Sequence, residues 1–164
     1  MVCRKQLRFM NNDNSTATAP NKPTTVVYAC SGCSDAGEIA DRVARQLTRE
    51  GAAKMSCLAG IGGRVKSLVA TAEKAERILV VDGCPLNCAA HTLKLAGFNK
   101  FDHLELHKIG VRKGSTPVTD ERIADGVAAA IRILSAAVDA STNRNECLIA
   151  PLPGIAELST ITKP

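Results

Sequence analysis

Tryptophan is absent, and aromatic residues make up only 2% of the chain, one tyrosine and three phenylalanines. Proteins that hold single-stranded nucleic acid without sequence preference stack bases on aromatic rings, and this chain has almost none. A basic stripe is also lacking. The formal charge is +5, but Arg4, Lys5, Arg8 and Lys22 against Asp13 place +3 of it in residues 1–23, and the remainder is close to neutral. No nucleic-acid partner is therefore expected. Long apolar runs are missing too. No segment approaches the roughly 18 consecutive apolar residues of a membrane helix, so no membrane partner is expected. Residues 1–20 carry basic side chains but no apolar stretch of the kind a secretory signal needs. The expected location is cytoplasmic, where disulfides are rare.

What the chain does have is aliphatic side chains and cysteine. Hydrophobic residues make up 45% of 164 residues, enough for the core of one domain. A core of Ala, Val, Ile and Leu suits a parallel sheet covered by helices, whose strands are buried on both faces. Seven cysteines in a chain without a disulfide framework are better read as metal ligands or redox groups.

Residues 1–24 are rich in Asn, Ser, Thr and Pro without periodicity and are expected to form a disordered N-terminal arm. The α/β domain spans residues 25–140, and residues 141–164 read as a C-terminal tail or extension. Within the domain, residues 25–29 predict a first strand. A helix follows, capped by Ser34, with Ile39, Val43 and Leu47 as its buried stripe. Residues 53–56 predict a second strand, followed by a glycine-rich turn over residues 57–64 and a helix carrying Val65, Leu68, Val69 and Ala72. Residues 77–81 predict the third strand and residues 86–96 the next helix. Leu104 and Leu106 alternate with His103, Glu105 and His107, which predicts a fourth strand with one solvent face, the histidines on it. A last helix carries Ile123, Val127, Ile131, Leu134 and Val138.

This alternation predicts an α/β, three-layer parallel sheet of about four strands in the order 2-1-3-4, with helices on both faces. In that order the connections from strands one and three leave in opposite directions. A crevice then opens between their carboxyl ends, the usual place for a ligand in such sheets.

Three successive strands end in cysteine. Cys30-Ser31-Gly32-Cys33 follows the first, Cys57 the second, and Asp82-Gly83-Cys84-Pro85-Leu86-Asn87-Cys88 the third. The topology brings Cys30, Cys33, Cys84 and Cys88 to the crevice, with Cys57 flanking. Both short spacings allow two sulfurs to reach one ion at about 2.3 Å, and sulfur donors in tetrahedral array favour zinc or an iron–sulfur cluster. Helix N-termini facing the crevice favour the thiolate form. Cysteine also packs as a small hydrophobe, and Cys3 and Cys147 are read as incidental thiols. His91, three residues after Cys88, and Asp35 and Asp82, each beside a cysteine pair, are candidates to support the ligands by hydrogen bonds. His91 equally suits a plain exposed helix position. The interval from Cys57 to Arg64 is one residue too long for a Cys-x5-Arg phosphatase loop.

The three motifs, in this order, resemble those of the DGC-domain proteins, a family of zinc-binding proteins named for Asp-Gly-Cys. The resemblance covers roughly residues 26–113. It implies a cysteine-bound metal, zinc, and no particular reaction. Its functional cysteines fall on Cys30, Cys33, Cys84 and Cys88, and Cys57 is a fifth matching position, an additional thiol or an alternative ligand. A thiol-dependent redox or sulfur-transfer enzyme and an iron–sulfur electron carrier are the competing expectations.

Overall fold

Every residue of Thr25–Ala29 (β1) is buried, which is what a central strand of a sheet covered on both sides requires. The computed structural model describes residues 24–31 and 34–146, with the side chains of the final helix described as far as residue 136. The expected N-terminal arm, apart from Thr24, and residues 147–164 of the expected tail lie outside the described residues.

The elements follow in the order β1, α1 (Asp35–Arg49), β2 (Lys54–Met55), α2 (Leu58–Gly62), α3 (Lys66–Glu73), β3 (Arg77–Asp82), α4 (Cys88–Leu95), β4 (Asp102–Glu105), a 3-10 turn Leu106–Ile109, and α5 (Asp120–Glu146). The four strands form one all-parallel sheet in the order 2-1-3-4. Register is set by Val27 opposite Leu79 and by Val81 opposite Leu104. The architecture is the three-layer α/β fold predicted from the alternation of elements.

Alternation along β1 and β3 divides the core into two layers. Val27, Ala29, Leu79 and Val81 pack with α1 and α5. Val26, Tyr28, Ile78 and Val80 pack with Ile61, Ala72 and Leu93 of the helices on the other face. α1 begins as its sequence dictates, the Ser34 hydroxyl accepting from Gly37 N at 3.3 Å. It crosses α5 closely, since a Cβ added at Gly126 would stand 2.6 Å from Val43 Cγ2. Ile39, Val43, Leu47, Leu79 and Leu93 are fully buried, each contributing about 1.5–3 kcal/mol from apolar burial. The two layers thus give the domain a core independent of any ligand.

Three elements differ from the sequence expectation. β2 is only two residues long, because Lys54 turns to solvent at the sheet edge and the Thr48 hydroxyl accepts from Met55 N at 2.9 Å. The glycine-rich segment after Cys57 winds into the short helix α2 rather than a turn, anchored by the buried Ile61. The fourth strand stops at Glu105. Leu106 is pulled into the core by a 3-10 turn, so His107 is not on a strand. No helix among the described residues is long and apolar enough to cross a membrane.

Candidate thiol site

The carboxyl ends of β1 and β3 lie side by side. Cys30 continues the ladder past β1, its N–H donating to Val81 O at 2.8 Å. The chain leaving β3 turns through Gly83 and Cys84 into α4, whose first residue is Cys88. Cys30 and Cys84 are buried, Cys88 and Cys57 are exposed, and all four are free thiols. Burial pushes the Cys30 thiol above its ordinary value. The Gly83 N–H facing its sulfur works against this, while the charges of Asp82, Cys88 and Cys84 add to it. A thiol so placed keeps its proton until a cation offsets the neighbouring negative charge.

Cys30, Cys84 and Cys88 are thus close enough for the charges of Cys88 and Cys84 to act on the Cys30 sulfur. Cys33 falls outside the described residues, as do Cys3 and Cys147. Among the described residues, no group of three or more His, Cys, Asp or Glu side chains is arranged to hold a metal ion. Cys57 sits apart at the end of β2, heading α2, and its side chain makes no cap hydrogen bond.

Glycine is obligatory at Gly83. A Cβ there would stand 2.3 Å from Ala36 O, because the first turn of α1 packs directly on the Asp-Gly-Cys turn. The residue after Leu86 also has an uncommon backbone. Asn87 takes the left-handed conformation, φ 48°, which Asn tolerates better than most residues. It sends its amide Nδ2 to Glu105 Oε1 at 3.1 Å.

Asp82 is fully buried. One carboxylate oxygen accepts from Ala89 N at 2.9 Å and the other from Ala90 N at 3.0 Å. Asp82 is therefore the anion at the N-terminus of α4, and it meets the orphan amides and partial positive charge there. The second Asp82 oxygen also lies 2.9 Å from His103 Nε2. His103, expected to face solvent, is instead turned inward by this carboxylate, and its ring meets Phe101 edge-to-face at 6.0 Å.

Asp35 serves a different loop. Its carboxylate accepts from Ala36 N at 2.8 Å, Gly114 N at 2.7 Å and Thr116 N at 2.9 Å, and so fastens the segment before α5 to the head of α1. These bonds, the one from Gly114 first, hold its carboxyl below the usual carboxylate range. His91 is exposed on α4.

Two residues not singled out from the sequence border the site. Glu105 pairs with Lys108 and receives Asn87. The Lys108 bond, then Asn87, hold its carboxyl low. Tyr28, the lone tyrosine, is fully buried with its phenol beside Ser56 and Cys57, and burial pushes that phenol up. Its position one residue from a strand end was visible in the sequence. Its neighbours on β2 were not.

Parallel strands ending in thiols at a switch point, with an Asp-Gly-Cys turn locked against α1, define a cysteine-bearing α/β domain. The model of the DGC domain matches residues 26–130, and the chain belongs to that family. Among curated proteins, it is 42% identical over 95 residues to the anaerobic and virulence modulator AnvM of Pseudomonas aeruginosa, an alignment covering 58% of this chain and 72% of AnvM. No solved structure matches it.

Proposed function

We propose that the protein is a cysteine-based regulatory protein whose crevice binds one zinc ion through Cys30, Cys33, Cys84 and Cys88. The observation that carries this reading is Cys30, buried between neighbouring strand ends, with the charges of Cys84 and Cys88 acting on its sulfur. The described residues fall short of a metal site by themselves. Cys33 completes the donor set in this reading. It immediately precedes Ser34, the cap of α1, and the first turn of α1 packs on Gly83. Soft sulfur donors suit zinc, which supplies positive charge without redox chemistry.

The chain's own residues do the rest. Gly83 N–H faces the Cys30 sulfur, Asp82 fixes the start of α4 and hence Cys88, and Asn87 with Glu105 holds the turn between Cys84 and Cys88. Asp35 holds the segment before α5 rather than a ligand, and Cys57 stands as an additional thiol outside the ligand set. The relative's name, a modulator, favours a regulatory role over a metabolic reaction.

The test is zinc stoichiometry of protein purified without oxygen, in the wild type and in Cys30→Ser, Cys33→Ser, Cys84→Ser and Cys88→Ser. One zinc per chain, lost in all four variants, is expected. Full occupancy in two variants, one from each cysteine pair, would show that the pairs do not share an ion. Bound iron with visible absorption would establish the iron–sulfur alternative instead.

A further inference from the structure

The outer face of α5 carries more apolar surface than α1 covers. Ala124, Ala128 and Ile131 share one side of this helix, at i, i+4 and i+7, and all three are exposed. Ile131 keeps 43% of its surface open. With the half-buried Ile123 they line a groove of about 400 Å³ between α5 and the last turn of α1. Its charge comes from Glu50 and Asp120, and among the described residues no basic side chain lines it. The groove is remote from the thiol loops, which pack at the other end of α1, against Ala36.

The same chain supplies an occupant. α5 ends at Glu146, and residues 147–164 follow it with Leu148, Ile149, Leu152, Ile155, Leu158 and Ile161. Their only base is Lys163 and their only acid Glu157. Aliphatic side chains in that number gain by leaving water, and Pro151 and Pro153 keep α5 from simply continuing. The lengths also match. Ile131 lies about 22 Å back along the helix from Glu146. A chain returning at about 3.3 Å per residue covers this in roughly seven residues, which brings Ile155 level with Ile131. Ile123 lies about 12 Å further back, the reach of roughly four extended residues, which brings Leu158 and Ser159 to it. Lys163 then arrives at Glu50 and Asp120, whose charges it complements.

We infer that this groove is the docking site of the chain's own residues 147–164, which run back antiparallel to α5 as a strap. Ile155 and Leu158 fill the apolar groove between Ile131 and Ile123, Glu157 faces water, and Lys163 meets the acidic rim. The strap takes the apolar stripe of α5 out of water and closes a face otherwise open to self-association. It seats at the Glu50 end of α1, so it leaves the thiol loops free and stands independently of the zinc reading.

Methyl NMR of the full chain, labelled at Ile and Leu, tests this. Cross-peaks from the Ile131 methyls to those of Ile155 or Leu158 are expected, with relative intensities unchanged on dilution. Thermolysin, which cuts before aliphatic residues, gives a second measurement. Cleavage within residues 152–161 is expected to be several-fold faster in Ile131→Asp than in the wild type, since burial of one aliphatic contact is lost. It should be unchanged in Leu95→Asp, which alters an exposed leucine on α4. Absent cross-peaks, or equal cleavage of the wild type and Ile131→Asp, would overturn the strap. Cross-peaks that vanish on dilution would give the groove to a second copy of the chain and overturn it as well.

Discussion

His103 Nε2 lies 2.9 Å from an Asp82 carboxylate oxygen that also accepts from the backbone N–H of Ala90. One buried carboxylate therefore joins the end of β3, the head of α4 and the edge strand β4. The Asp of Asp-Gly-Cys works as an internal helix anchor, and the position of Cys88 depends on it.

Replacing that anchor has a measurable cost. Asp82→Asn keeps the volume but turns an amide N–H₂ toward one of the partners, so a buried hydrogen bond to a charged group is lost. A loss of about 2 kcal/mol is expected. His103→Ala removes only one of three partners and should cost about 1 kcal/mol. Urea unfolding of the three proteins compares them. A cost in His103→Ala as large as that in Asp82→Asn would show that the histidine, not the helix amides, is the main partner.

Gly83 and Gly62 make a contrasting pair. A methyl group at Gly83 would stand 2.3 Å from Ala36 O, whereas at Gly62 the nearest atom is Thr92 Cγ2 at an ordinary 3.5 Å. Gly83→Ala should destabilise by about 2 kcal/mol or more through forced displacement of α1. Gly62→Ala should be neutral or stabilising by up to about 1 kcal/mol, since alanine is the better helix former. Thermal melts of both variants check this. Equal melting points would mean that α1 yields to the added methyl without cost.

The head of α1 is expected to respond to acid. The Asp35 carboxyl is held below its ordinary range by backbone N–H groups, that of Gly114 first. A depressed value means that the tether stabilises the fold above the ordinary carboxylate range and is lost as pH falls through the lower, folded value. Amide NMR resonances of Gly114 and Thr116 should titrate together with a midpoint below that of a free Asp. In Asp35→Asn that titration should disappear and the segment before α5 should exchange hydrogen faster. An acid midpoint at the ordinary Asp value would show that the three bonds carry no preference for the charged form.

Metal removal should loosen the thiol loops and leave the sheet standing. The two aliphatic layers around Val27, Leu79 and Val80 need no ion. Treatment of zinc-loaded protein with a chelator is expected to leave the far-ultraviolet circular dichroism nearly unchanged while Cys84 and Cys88 gain reactivity toward a thiol reagent. Collapse of the helical signal on chelation would mean that the ion, rather than the core, sustains the fold.

The sequence determined the parts of this protein that local pattern encodes. Aliphatic runs at residues 25–29 and 77–81, separated by the Ile39–Val43–Leu47 stripe, specify parallel strands with a crossover helix. The cysteines that follow each strand could only gather at the carboxyl edge of such a sheet. Register and loop path were decided by the tertiary structure, because they depend on atoms far apart in the chain. Asp82 and His103 are 21 residues apart, and Asp35 and Gly114 are 79. Neither pairing has a sequence period. His103 looked solvent-facing because an alternating edge strand usually is, but a fully buried carboxylate needs partners more than an imidazole needs water. Tyr28 likewise gave only its strand position, and the proximity of its phenol to Ser56 and Cys57 follows from β1 lying beside β2.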